Sequence, residues 1–169
     1  HSWYRRQRQM CIRDSGNYAG TLLPYKEIVE AGYDEIIFLN ASNENIIDEA
    51  RSANIFVLKG NMLKTPILQG SILPGITRDS VIKVASKIFN LDVREEDVSL
   101  DELMNADEVF FTGTAAVIAP VGRIVYKKNE TRLKISFEES MTRKIRERLI
   151  DIQYENIEDP FGWVIPLGR

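Results

Sequence analysis

The sequence has few of the residues that build metal sites and nucleophilic triads. Its 169 residues include one cysteine, Cys11, and one histidine, His1. One cysteine leaves no disulfide framework within the chain and no cysteine-based metal site. A single histidine at the start of the chain gives no basis for histidine catalysis. We therefore expect no metal site and no histidine-based mechanism.

Long apolar runs and an excess of basic charge are also missing. No apolar run approaches the about 20 residues that a transmembrane helix needs, and no signal peptide is visible, so we expect a cytoplasmic protein without a membrane partner. The formal net charge of −3 gives no electrostatic case for binding nucleic acid. Hydrophobic residues make up 44% of the chain, enough for the core of one domain.

The first fifteen residues differ from the rest of the chain. Residues 1–15 have neither a helical nor a strand period, and they are rich in arginine. One interpretation is a basic arm that binds an acidic partner. We favour a non-native leader, because the end of this segment, MCIRDS, resembles translated sequencing-adapter sequence. Residues 16–169 are therefore expected to form the domain.

Apolar residues alternate between helical and strand spacing along residues 16–169. Helices are predicted from Asn17 to Gly32 and from an N-cap at Thr77 to Phe89, and two capping boxes, Ser99–Glu102 and Ser136–Glu139, are expected to open two more. Gly60–Asn61 is predicted to be a hairpin turn. Predicted strands cover residues 35–39, 46–49, 54–59, 62–65, 91–94, 108–112 and 116–126. Helices interleaved with hairpins indicate an α/β fold with a mixed sheet.

Two clusters of small residues and threonine lie at element boundaries. The first, GSILPGITRD, runs from Gly70 to Asp79, and the second, FTGTAA, from Phe111 to Ala116. The N-terminus of a helix, such as the one predicted at Thr77, presents free N–H groups that can bind phosphate. An ordinary capped helix and an ordinary turn are the alternatives. Together, the clusters indicate a ligand with two anionic groups.

These clusters occur in order with Gly16-Asn17-Tyr18 and with the ending Ile152–Trp163. In this combination, the sequence from Gly16 onward resembles the C-terminal domain of branched-chain amino-acid aminotransferases, which are fold type IV pyridoxal-phosphate enzymes. The resemblance implies a C-terminal cofactor-binding domain of the D-amino-acid aminotransferase-like fold, over residues 16–169. It also implies that the N-terminal domain of the family is absent from this chain.

The resemblance implies where the anionic groups of cofactor and substrate would bind. The cofactor phosphate would accept hydrogen bonds from the backbone N–H groups of Ile76 and Thr77 and from the Thr77 hydroxyl. Thr114 would be a second phosphate ligand. The turn at Thr114 and Ala115 would also offer its amides to the substrate carboxylate.

The resemblance also assigns three residues to the ring of pyridoxal 5'-phosphate. Leu73 would pack on the pyridine ring, Glu49 would face the pyridine nitrogen, and Tyr18 would hydrogen-bond the phenolic oxygen. A carboxylate beside the nitrogen favours its protonated form, which makes the ring a better electron sink. From the residues alone, Glu49 is interpreted as a solvated strand end and Tyr18 as a core residue of the first helix.

The chain departs from the family pattern at the catalytic position. The Schiff-base lysine of the family lies five residues before the tyrosine, where this sequence has Arg13. A guanidinium stays protonated near neutral pH and cannot replace that amine. Lys26 is not a plausible substitute, so we assign no catalytic residue and expect this fragment to be inactive. Val117 is a second departure, because many bacterial relatives have glutamate there.

The resemblance implies a transaminase in branched-chain amino-acid biosynthesis. It would exchange the amino group of leucine, isoleucine or valine with 2-oxoglutarate, as a homodimer or larger oligomer. One alternative is another fold type IV enzyme, such as a D-amino-acid aminotransferase or aminodeoxychorismate lyase. Another is a non-catalytic binding domain of the same fold. We also expect an exposed apolar face where the missing domain and a second subunit would pack.

Overall fold

The fold consists of three sheets and four α-helices within the residues that the structure, a computed structural model, describes: 22–69, 72–133 and 136–165. Arg13, Tyr18 and the segment 1–15 lie outside those ranges. The elements in chain order are α1 (Leu22–Glu30), β1 (Ile37–Asn40), β2 (Asn43–Ala50), β3 (Asn54–Lys59), β4 (Met62–Thr65), α2 (Ile76–Lys87), β5 (Asp92–Glu95), β6 (Val98–Ser99), α3 (Leu100–Met104), β7 (Glu108–Gly113), β8 (Val117–Pro120), β9 (Arg123–Tyr126), β10 (Asn129–Arg132) and α4 (Met141–Gln153).

The largest sheet has five strands in the order β5-β4-β3-β7-β8. The β4–β5 pair is parallel, and the other pairs are antiparallel. A parallel pair needs a crossover connection, and helix α2 lies between β4 and β5 in the chain. This arrangement confirms the predicted α/β fold with a mixed sheet.

Strand β3 contributes side chains to two hydrophobic cores. Phe56 and Phe110 stack with their ring centroids 5.1 Å apart, in the cluster that also contains apolar residues of α2 and α4. Ile55 and Val57 belong to the other cluster, with residues of β2 and α3. Because successive side chains of a strand point to opposite faces, this one strand joins both cores.

Helix α4 begins where a buried glutamate of the sheet meets its first amides. The Glu108 carboxylate accepts hydrogen bonds from the N–H groups of Met141 and Thr142, both at 2.8 Å, and from the Thr142 hydroxyl at 2.6 Å. Ser140 is the N-cap and accepts from the N–H of Arg143 at 3.1 Å. The predicted capping box at Ser136–Glu139 is therefore wrong, because Glu108, distant in sequence, fixes the start of the helix.

Several local predictions agree with the structure and one does not. Gly60–Asn61 connects β3 to β4 as a hairpin, and Ser99 and Glu102 form the predicted capping box of α3. Gly32, at a φ of 83°, follows the end of α1 as expected. The predicted strand 116–126 is instead two strands, β8 and β9, in different sheets.

No helix within the described ranges is long and apolar enough to cross a membrane.

A carboxylate organises the C-terminal turn. Asp159 accepts hydrogen bonds from the backbone N–H groups of Phe161, Trp163 and Val164. The rings of Phe161 and Trp163 stack with centroids 4.2 Å apart and pack against the core cluster of α2 and α4. These backbone donors, led by the N–H of Val164, hold the pKa of Asp159 below its usual value.

We predict that acid loosens this turn through Asp159. Because its native pKa is lowered, the stabilisation is complete above the unperturbed aspartate pKa of about 3.9 and is lost as pH falls through the lower native value. Trp163 fluorescence, followed between about pH 6 and pH 2 in a Trp3→Phe background, should report this change. In Asp159→Asn the acid-dependent change should be absent, whereas Asp92→Asn, a control elsewhere, should retain it. An unaltered acid transition in Asp159→Asn would contradict the assignment.

Candidate functional site

The polar corner at the start of β3 is built around the side chain of Asn54. Its Nδ2 donates to the carbonyl oxygen of Leu73 at 2.8 Å and to Glu49 Oε2 at 3.3 Å. The N–H of Leu73 donates to the same oxygen of Glu49, also at 3.3 Å. Asn54, Glu49 and Leu73 thus form a closed ring of hydrogen bonds. Asn54 is 4% exposed, so the ring lies at the edge of the core.

Position 75 needs a glycine because there is no space for a side chain, and not because of its backbone conformation. Its φ of −68° and ψ of 138° are accessible to any residue. A Cβ at this position would lie 2.3 Å from Asn54 Oδ1, far inside van der Waals contact. The group that the backbone of Gly75 approaches is the amide of Asn54.

Helix α2 begins at Ile76, so Thr77 is its second residue. The predicted N-cap at Thr77 is wrong, because Gly75 is the N-cap and no side chain caps it. The reason lies in Arg78, which is 3% exposed and donates from Nη2 to the Pro66 carbonyl at 2.9 Å and to Glu95 at 2.8 Å. Anchoring Arg78 inside the protein fits a first turn that starts two residues earlier than predicted, with Gly75 and not Thr77 as the N-cap.

The start of α2 keeps hydrogen-bond donors available. Within the described ranges, the amides of Ile76 and Thr77 donate to no other residue. Ile76 is exposed and Thr77 half-buried. Free amides at the positive end of a helix favour an anion.

The second threonine cluster lies at the same end of the sheet. Asn54 is the cross-strand partner of Thr112, and Thr114 begins the exposed turn between β7 and β8. Thr112 is 2% exposed, and its hydroxyl has no hydrogen-bond partner among the residues that the structure describes. Since Asn54 also contacts Gly75, the turn at Thr114 and the start of α2 approach one corner.

A cavity of about 1090 Å³ opens beside the second cluster. Thr114 and Ala115 line it together with apolar and aromatic side chains, among them Leu39, Phe111 and Tyr33. Glu49 and Thr77 are not in its wall. The cavity therefore adjoins the predicted substrate turn, and the polar corner of Asn54 lies outside it.

The structure places the predicted site residues in two adjoining groups. Glu49, Leu73, Ile76 and Thr77 surround the polar corner, and Thr114 and Ala115 lie at the turn. Tyr18 and Arg13 fall outside the described residues. Sequence reasoning missed Asn54 and Thr112. The available signal was a polar residue near the end of a largely apolar strand: Asn54 begins β3, and Thr112 is next to last in β7. Buried polar side chains usually have hydrogen-bond partners, so such positions need an explanation.

We predict that Gly75 and Asn54 are energetically coupled. Gly75→Ala forces a methyl group against the Asn54 amide and should cost about 1–3 kcal/mol of stability. In an Asn54→Ala background the clash is gone, so Gly75→Ala should be neutral or stabilise by about 0.4–1 kcal/mol through the unfolded chain.

Urea unfolding of the four proteins measures this coupling. Gly122→Ala is the matched control, because a Cβ at Gly122 would meet no atom of the described residues within 4 Å. Equal costs of Gly75→Ala in both backgrounds would show that the close approach is not tight.

The comparisons with known proteins extend these observations. The family profile described as Amino-transferase class IV matches residues 11–124. Arabidopsis thaliana branched-chain-amino-acid aminotransferase 2, chloroplastic, is 41% identical over 93% of this chain and 40% of its own length. A probable branched-chain-amino-acid aminotransferase of Staphylococcus epidermidis is 39% identical over 92% of this chain and 45% of its own length.

Solved structures share the fold. The branched-chain amino acid aminotransferase of Escherichia coli superposes with a TM-score of 0.74 at 35% identity, covering 88% of this chain and 48% of that one. The enzyme of Thermobaculum terrenum in its PLP-form gives 0.74 at 30% identity, covering 85% and 45%. The chain thus spans less than half the length of these relatives. It belongs to the class IV aminotransferase family and has the fold of the fold type IV enzymes.

Proposed function

We propose that the parent protein is a pyridoxal-phosphate-dependent branched-chain amino-acid aminotransferase, and that this chain supplies its C-terminal cofactor-binding part. The observation that carries the proposal is the polar corner, where Glu49 and the start of α2 are joined through Asn54 and Leu73. The two curated relatives named above, at 39% and 41% identity, support the choice of reaction.

The residues at the start of α2 fit a phosphate. The helix has no side-chain cap, so an anion would satisfy the amides of Ile76 and Thr77 without displacing a protein group. The Thr77 hydroxyl adds a donor in the first turn. Thr114 would approach from the neighbouring turn, two residues after Thr112, the cross-strand partner of Asn54.

The Asn54 corner fits the nitrogen end of the ring. Pyridoxal 5'-phosphate, when bound, supplies an electron sink for moving the amino group. Two N–H donors on Glu49 Oε2 stabilise the ionised carboxylate, which would hold a proton on the ring nitrogen. Leu73, tied through both its N–H and its carbonyl, would keep its side chain against the ring. Tyr18 would contact the phenolic oxygen.

The cavity beside Thr114 and Ala115 fits the substrate. The turn would hold the carboxylate of the amino acid or 2-oxo acid, and the apolar wall would accept a leucine, isoleucine or valine side chain. Helix α1 has no buried residue, and its Leu22 and Leu23 are 59% and 67% exposed. This apolar surface would pack in the full-length oligomer.

We predict that this chain recognises the phosphate of the cofactor through Thr77. Pyridoxine 5'-phosphate is the probe, because it lacks an aldehyde and cannot react with lysines. Calorimetry should show weaker binding of unphosphorylated pyridoxine. Thr77→Val should weaken binding of the phosphate ester about 10–100-fold, the value of one hydrogen bond to a charged group. Thr131→Val is the matched control. Equal affinity for both probes would refute the phosphate site.

We predict that this chain has no appreciable transaminase activity with leucine and 2-oxoglutarate. The position of the Schiff-base lysine is Arg13, and general acid–base catalysis by a positioned group is worth about 10²–10⁴-fold in rate. Arg13→Lys alone should not restore activity, because this chain spans less than half the length of its relatives. Glutamate formation is the measurement, and a parent chain with a lysine at this position is the positive control. Robust turnover by the chain as written would show that the nucleophile lies elsewhere.

A further inference from the structure

We propose that Asn54 is a positioning residue that orients the Glu49 carboxylate toward the cofactor ring and sets its distance from the phosphate-binding end of α2. The inference rests on the proposed function and adds a residue that the family resemblance did not assign. Asn54 itself would touch neither the reacting atoms nor the phosphate. It would act through Glu49 and through the loop that ends at Gly75.

The bonds of Asn54 connect the two ends of the proposed site. One amide hydrogen is directed to Glu49 Oε2 and the other to the Leu73 carbonyl, two residues before the N-cap of α2. Leu73 returns a hydrogen bond to the same oxygen of Glu49. A shift of Asn54 would therefore move the carboxylate and the helix start together.

The position of Asn54 is itself fixed. It is the first residue of β3, whose next four residues are buried, and it is paired across the sheet with Thr112. On the other side of the Asn54 amide, Oδ1 lies so close to Gly75 that a Cβ at position 75 would not fit. The amide is thus confined between a rigid strand and the glycine. Two unrelated substitutions, Asn54→Ala and Gly75→Ala, should disturb the same geometry.

The test follows the protonation of the bound ring and not only stability. Pyridoxine 5'-phosphate is bound to the chain, and the titration midpoint of its ring nitrogen is read from its absorbance and fluorescence. A well-placed Glu49 raises this midpoint above that of the free compound. Asn54→Ala and Gly75→Ala should each lower it by about one pH unit, a tenfold loss of proton affinity. The double variant should lower it no further, because both changes release the same carboxylate.

The controls separate positioning from general damage. Asn45→Ala and Gly122→Ala make the same chemical changes at an exposed position and at a position with open space, and should leave the midpoint unchanged. Circular dichroism checks that each variant is folded. If Asn54→Ala unfolds, Gly75→Ala, which keeps both donors, carries the test alone.

The outcomes distinguish this inference from the proposed function. Glu49→Gln should lower the midpoint at least as much as Asn54→Ala. If Glu49→Gln lowers it but Asn54→Ala and Gly75→Ala do not, the positioning role is overturned and the proposed function stands. If Glu49→Gln has no effect, or if the wild-type chain binds no pyridoxine 5'-phosphate, the proposed cofactor site is overturned and the role of Asn54 with it.

Discussion

Burial of strand β3 on both faces is the constraint on which the rest of this structure depends. Its first five residues, Asn54 to Leu58, are between 0% and 4% exposed, and both of its edges pair with neighbours, β4 and β7. Apolar burial contributes roughly 25 cal/mol per Å², so a slip of one residue would exchange the two cores and be strongly opposed. The fixed register of β3 places Asn54 beside Thr112 and in contact with the loop that leads into α2.

The polar corner follows from that placement. A buried primary amide must have partners, because an unsatisfied polar group in the core costs about 1–3 kcal/mol. Asn54 finds them in Glu49 and Leu73, residues from two separate segments. The hydrogen bonds that satisfy Asn54 therefore also fix a carboxylate and a loop at a defined distance. The hydrogen bonds that a buried amide needs for stability thus also hold these groups in the fixed positions that a binding site for a ring would need.

Three of the helices in the described ranges, α2, α3 and α4, begin in different ways. Helix α3 uses a local capping box, and α4 combines Ser140 with Glu108 from a distant strand. Helix α2 has a glycine cap and a buried arginine, Arg78, behind its first turn. Arg78 donates to Pro66 and Glu95, and the amides of Ile76 and Thr77, which donate to no other residue of the described ranges, can bind an anion. The uncapped start of α2 fits the phosphate site proposed for a class IV aminotransferase.

The sequence by itself determined the features whose causes are local. The Gly60–Asn61 hairpin, the Ser99 capping box and the αL glycine after α1 depend on residues within one or two turns. Ordered motifs likewise indicated the family. Tertiary structure decided what depends on distant partners. Glu108 sets the start of α4, the burial of Arg78 accompanies a shift of the α2 N-cap from Thr77 to Gly75, and Asn54 explains why position 75 is glycine. No local pattern shows these contacts, because folding alone brings together residues 12 to 34 positions apart.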